Sequence, residues 1–172
     1  MDEPYKRQMT SYRRTRSAIL EGTKSLIGTV GLQRTNMIDI ADTSEVSRAT
    51  LYNHFRDKAS VLRALLESEV DRIFQVIDSD ISPADALLWI AREISTDSTL
   101  EMMRNTDPGV LAQMLVRVED PLWQQINERL VRMLRDRSKS EIARLWLIGQ
   151  VMQPIGVDEC REQARAIASS HL

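Results

Sequence analysis

The residues of this chain best suited to recognising another molecule lie in one run, Val46-Ser47-Arg48-Ala49-Thr50-Leu51-Tyr52-Asn53-His54-Phe55-Arg56-Asp57-Lys58. Arg48 carries a planar fork of donors that matches a guanine edge, Asn53 an amide that both donates and accepts, and Thr50 a hydroxyl beside a methyl. Ala49 adds almost no bulk. Wound as a helix at about 100° per residue, Leu51 and Phe55 form a single inward seam, one turn apart. Ala49, Thr50 and Asn53 lie away from that seam, and Tyr52 and His54 fall on its flanks. Such a helix suits the major groove of DNA, because its centre approaches base edges while its flanks reach the phosphates. Arg48, Ala49, Thr50 and Asn53 are therefore expected to read bases, with Ser47 at the start of the helix in the same DNA-binding set. Tyr52, His54 and Lys58 are expected on phosphates, together with Thr35 and Asn36 at the start of the preceding helix.

Three elements must position that run. Ser47 is an N-cap, with Val46 before it and Leu51 after it as a hydrophobic staple. A first helix is predicted over Ser17–Val30 from Ile19, Thr23, Leu26, Ile27 and Val30, closed by Gly31 as a left-handed cap. A second starts at Asn36, answered by Asp39, and buries Met37, Ile40 and Ala41. Two short helices joined by a tight turn and packed on a longer one make a helix-turn-helix unit. With Ile40-Ala41 and Val46-Ser47 ahead of it, Thr50-Leu51-Tyr52-Asn53-His54-Phe55 followed by Lys58 resembles the recognition-helix signature of the TetR family of one-component transcription regulators. The resemblance runs from about Ser17 to Leu66. Two positions depart from it. Glu45 stands where the turn usually has Gly, and a left-handed residue there would cost about 1 kcal/mol. The second helix opens Thr35-Asn36-Met37-Ile38 rather than Thr-Thr-Val-Arg, so Ile38 replaces an arginine that could reach DNA.

Charge follows the same division. Residues 1–60 hold ten Lys/Arg against seven Asp/Glu, and the rest hold thirteen against eighteen. Between Pro4 and Ser17 five basic residues occur without an acid. This reads as an N-terminal arm over residues 1–16 whose Arg13, Arg14 and Arg16 would order on phosphates or in the minor groove. Hydrophobic residues make up 42% of the 172, mean hydropathy is −0.30, and Gly and Pro are few. An all-α soluble protein is expected, with no membrane span or signal peptide. Cys160 is the only cysteine, which fits a cytoplasmic setting and excludes an internal disulfide. Two histidines, no paired-cysteine spacing and no nucleophile elbow argue against an enzyme, and neither a metal nor a cofactor is expected.

After a fourth helix to about Asp78, cap-then-Pro signals predict helices near 83–96, 108–118 and 121–136. Ser138 with Glu141 predicts another over 139–153, with a short one over 98–105 and a last over about 159–170. Residues 17–66 would form the DNA-binding domain and 67–172 a helical effector-binding and dimerisation domain. A pocket for a small apolar ligand, implied by the resemblance, would draw on Trp89, Met102, Met103, Met114, Trp123 and Met133. The helix 139–153 is apolar on two sides, one being Ile142, Leu145, Trp146, Gly149 and Met152. With Cys160, Ala164, Ile167 and Ala168 on the last helix, these would bury against a second copy as a two-fold, four-helix interface. The resemblance then implies a homodimer on a palindromic DNA operator, most simply a repressor released by its ligand. The alternative is a helical protein-interaction module that has lost specific DNA binding.

Overall fold

The computed structural model describes residues 3–75, 81–116 and 120–169, with side chains from residue 8 onward. Every regular element among them is helical, and the chain divides into two compact units, residues 1–68 and 69–172. None of these helices is long and apolar enough to cross a membrane.

The first unit contains α1 (Glu3–Val30), α2 (Met37–Thr43), α3 (Arg48–His54) and the start of α4 (Lys58–Gln75). α1 begins well before the expected Ser17. The stretch expected as an arm continues the helix without a break, because nothing between Pro4 and Ser17 interrupts it. Its inward side, Ile19, Leu20, Thr23 and Ile27, is buried together with Ile40, Ala41, Leu51, Phe55 and Val61. Gly31, at φ 84°, turns the chain out of α1 as expected. Gly22 matters for a different reason. A Cβ there would collide with Ser44 Oγ and come within 2.9 Å of Ser44 Cα, so only glycine lets the turn after α2 reach α1. Glu45 does adopt the left-handed conformation, with φ 54°.

The second unit runs from the end of α4 through α5 (Pro83–Thr96), α6 (Ser98–Thr106), α7 (Pro108–Leu115), α8 (Pro121–Leu134), α9 (Arg137–Met152) and α10 (Val157–Ala168). Ser82 and Asp120 cap as their sequences promise, accepting from the Asp85 and Leu122 amides. Asp107 makes no such cap bond and instead accepts from the Thr106 hydroxyl at 2.9 Å. The α9 start also differs from expectation. Asp136, not Ser138, is the cap, accepting from Lys139 N at 3.0 Å, while Glu141 pairs with Arg144. This is possible because Arg135 takes a left-handed conformation (φ 54°) that ends α8 early. The expected ends of α4 and α7, including Ile77, lie outside the described residues.

The core of this unit joins Leu87, Ile90, Ala91 and Ile94 of α5 to Leu130 and Leu134 of α8 and to Ala143 and Leu147 of α9. Cys160, Ala164 and Ile167 of α10 belong to it too, at 4%, 1% and 8% exposure. That corrects their assignment to a dimer surface: the apolar side of α10 is already covered by the chain's own helices. Ala168 also packs against this core.

Candidate nucleic-acid interface

α3 is held at both ends by its own sequence. Ser47 Oγ accepts from the Thr50 amide at 3.0 Å and lies 2.8 Å from the Thr50 hydroxyl. Leu51 is fully buried and Phe55 nearly so, which anchors the inner seam. What remains outward is one continuous face, Arg48, Ala49, Tyr52 and Asn53, followed by Arg56. Thr50 is half-buried with its hydroxyl engaged, which leaves its methyl as the part able to touch a base. After α3, Asp57 and Ser60 cap each other. The Ser60 amide donates to Asp57 Oδ1 at 2.8 Å and the Asp57 amide to Ser60 Oγ at 3.2 Å. The Ser60 amide, foremost, holds the Asp57 carboxyl below its usual range.

Several expected phosphate contacts are placed otherwise. Thr35 is 2% exposed and its hydroxyl donates to Gly31 O at 2.8 Å, so it braces the α1–α2 turn. Asn36 spends its side chain on the α2 cap, accepting from the Ile38 and Asp39 amides and donating to Asp39 Oδ2 at 2.7 Å. Lys58 donates to Leu32 O at 2.7 Å, where it ties the start of α4 to the turn that follows α1. Arg16 sits over the Phe55 ring, 5.5 Å from its centroid. All four residues are thereby used by the fold itself. Arg13 and Arg14 stay exposed, as does Ile38 at 46%.

His54 is half-buried. Its ring stacks on Tyr12 at 4.2 Å between centroids, and Nδ1 is buried with no hydrogen-bond partner among the described residues. Burial, and then the nearby Arg16 charge, push its pKa down, disfavouring the charged imidazolium. Sequence reasoning missed Tyr12 and Gly22. The first could have been found from its position four residues before Arg16 on one side of α1. The second carries no signal short of the packed structure.

A second candidate site lies wholly within the second unit. A cleft of about 420 Å³ is lined by Asp71, Phe74, Gln75, Ile81, Pro83, Arg129, Arg132 and Met133. Arg129 pairs with Asp71 and lies 5.3 Å from the Phe74 ring centroid. Of the residues expected to form a pocket, Met133 lines this cleft. Trp89 packs against the core, Met103 is buried, and Trp123 donates to Met114 O at 3.4 Å. Met102 is half-buried on α6. On α9, Ala143, Leu147 and Gln150 face inward while Ile142, Leu145, Gly149 and Met152 lie on the opposite side. Ile142 is 43% exposed and Leu145 55%. Trp146 sits between the two sides and donates to Gln163 Oε1 at 2.6 Å.

Two short helices about a left-handed turn, a longer helix behind them and an outward polar face on the second define a helix-turn-helix head. Residues 19–65 match the family model described as bacterial regulatory proteins, tetR family. Over 54 residues the chain is 39% identical to the HTH-type transcriptional regulator TtgR of Pseudomonas putida, covering 31% of this chain and 26% of that protein. Over 76 residues it is 29% identical to the HTH-type transcriptional repressor KstR2 of Mycolicibacterium smegmatis, covering 42% and 37%. These matches thus span well under half of those relatives. The solved SmeT–triclosan complex shares the fold across 89% of this chain and 90% of that one, with TM-score 0.60 and 18% identity. Residues 19–65 are thus similar to the DNA-binding domain of tetR-family regulators.

Proposed function

We propose that the chain is a sequence-specific transcription regulator that binds a palindromic operator as a homodimer and acts as a repressor released by a small ligand. The observation that carries this reading is the outward face of α3, where Arg48, Ala49, Tyr52 and Asn53 stand clear of a helix whose cap and seam are satisfied internally. Arg48, Ala49, Thr50 and Asn53 read base edges, Arg48 through its bidentate fork on guanine. Tyr52 and His54 hold phosphates, and Arg13 and Arg14 add charge on the flank.

A second copy supplies the other half-site, since one head spans too few base pairs for useful selectivity. The stripe Ile142, Leu145, Gly149 and Met152 on α9 supports this, being apolar on a helix already buried along its opposite side. At Gly149 no described residue outside its own turn of helix lies within 4 Å of an added Cβ, so another backbone has room to approach. Leu145→Glu should leave helicity intact and shift sedimentation from dimer to monomer, because Leu145 is not needed within the chain. A ligand in the cleft of the second unit would meet Phe74 and Met133 beside Arg129, Arg132 and Asp71. That lining favours a small molecule with both an apolar body and a polar end.

The test is selection from random-core duplex DNA followed by a gel shift. A dimer that enriches a two-fold site supports the reading. A folded protein that enriches none would leave the interaction module as the better account.

A further inference from the structure

We propose that Tyr12 is a positioning residue for DNA reading: by stacking on His54 it fixes the imidazole at the end of α3 and makes the N-terminal turns of α1 a preformed part of the DNA-binding surface. This deepens the DNA-binding reading and rests on it. Tyr12 and Arg16 are four residues apart, on one side of α1. They meet consecutive residues at the end of α3: Tyr12 stacks on His54 at 4.2 Å with 28° between the planes, and Arg16 covers the Phe55 ring at 5.5 Å. The two contacts fasten the helical extension to the reading helix.

The state of His54 follows from the same geometry. A histidine ring is usually oriented by a hydrogen bond from one nitrogen. Here Nδ1 is buried with no partner among the described residues, so the Tyr12 ring takes over that role. A proton on Nδ1 would be a buried donor without an acceptor, and a doubly protonated ring would also face Arg16. With Nδ1 turned inward, the Nε2 edge is the part of the ring left to meet a phosphate oxygen, as a donor when it carries the proton. Arg13 and Arg14, exposed on the turn that Tyr12 anchors, are carried with it. Their contacts then require no ordering of a flexible arm, which lowers the entropic cost of binding.

The experiment uses the full chain and the duplex that the wild-type protein selects from a random-core pool. Binding is measured for Tyr12→Ala, Tyr12→Phe, His54→Ala and the Tyr12→Ala/His54→Ala double variant, and the His54 imidazole is followed by NMR without DNA. Tyr12→Ala should weaken binding about two- to tenfold, the range of one aromatic pair. Tyr12→Phe should restore it, and Tyr12→Ala should add nothing once His54 is alanine. In Tyr12→Ala the His54 resonances should shift and its titration should move up toward the ordinary histidine value. Wild-type binding by Tyr12→Ala overturns the proposal. So does an equal loss in the His54→Ala background, which would mean that Tyr12 touches DNA itself. A wild-type protein that selects no sequence defeats the DNA reading and this role with it, while an unmoved imidazole titration defeats the stack alone.

Discussion

Comparing the head (residues 1–68) with the second unit (residues 69–172) separates two ways of building a binding surface from helices. In the head, side chains that look available for DNA are in several cases already used: Thr35 on Gly31, Asn36 on its own helix start, Lys58 on Leu32 and Arg16 over Phe55. What is left on α3 is a small face defined by subtraction. In the second unit the reverse holds. Polar side chains close helix ends, as Asp136 does for α9, and the unused surface of α9 is apolar. A surface meant for phosphates and bases can be left in water at no cost. An apolar stripe carries a standing drive to be covered.

The largest effects should fall separately on the two regions. Leu51 and Leu130 are both fully buried, one in each unit. Replacing either by alanine should cost about 2–5 kcal/mol. Leu51→Ala should abolish duplex binding and leave the dimer sedimenting normally, and Leu130→Ala should melt the second unit first. Chemical denaturation followed by Trp89, Trp123 and Trp146, all in the second unit, distinguishes them. Equal responses of the tryptophan signal to both substitutions would break the comparison.

Two glycines sharpen it at smaller scale. Gly22→Ala should lose about 1–3 kcal/mol by overpacking, since its Cβ would collide with Ser44. Gly149→Ala meets none of the described residues beyond its own turn of helix and should raise helix stability by about 0.5–1 kcal/mol. If α9 pairs closely with a second copy, that same change should weaken the dimer, read as a concentration-dependent shift in sedimentation. The smallest effect concerns pH. The folded pKa of His54 lies below its unfolded value, so its neutral form contributes stability that is present above the unfolded pKa. That stability is lost as pH falls through the folded one. The head should melt at lower temperature at pH 5 than at pH 7.5, and His54→Phe, which keeps a ring against Tyr12, should reduce the difference.

What the sequence made legible also divides between the regions. Local chemistry was readable in both: Ser47, Asn36, Gly31 and the cap-then-Pro starts at Ser82 and Asp120 behave as their types require. The all-α class and the helix-turn-helix followed from such signals. What was hidden depends on which donor meets which acceptor in space. A lysine in a recognition signature does not announce that Leu32 O will take its donor. The stripe of Cys160, Ala164 and Ile167 on α10 gives an apolar period without saying whether the cover is its own chain or another. Left-handed Arg135, which moved the α9 start to Asp136, has no glycine or asparagine to signal it.

The central claim is that the outward face of α3 reads sequence. Arg48→Ala tests it most directly, because Arg48 is exposed at the first turn, is not part of the core, and carries the guanine-reading fork. Equilibrium titrations on the selected duplex and on an unrelated duplex of equal length, at one salt concentration, give both affinities. The account predicts a loss of about 1–3 kcal/mol on the selected duplex and a much smaller loss on the unrelated one. Equal losses on the two would contradict it and reduce Arg48 to a phosphate contact.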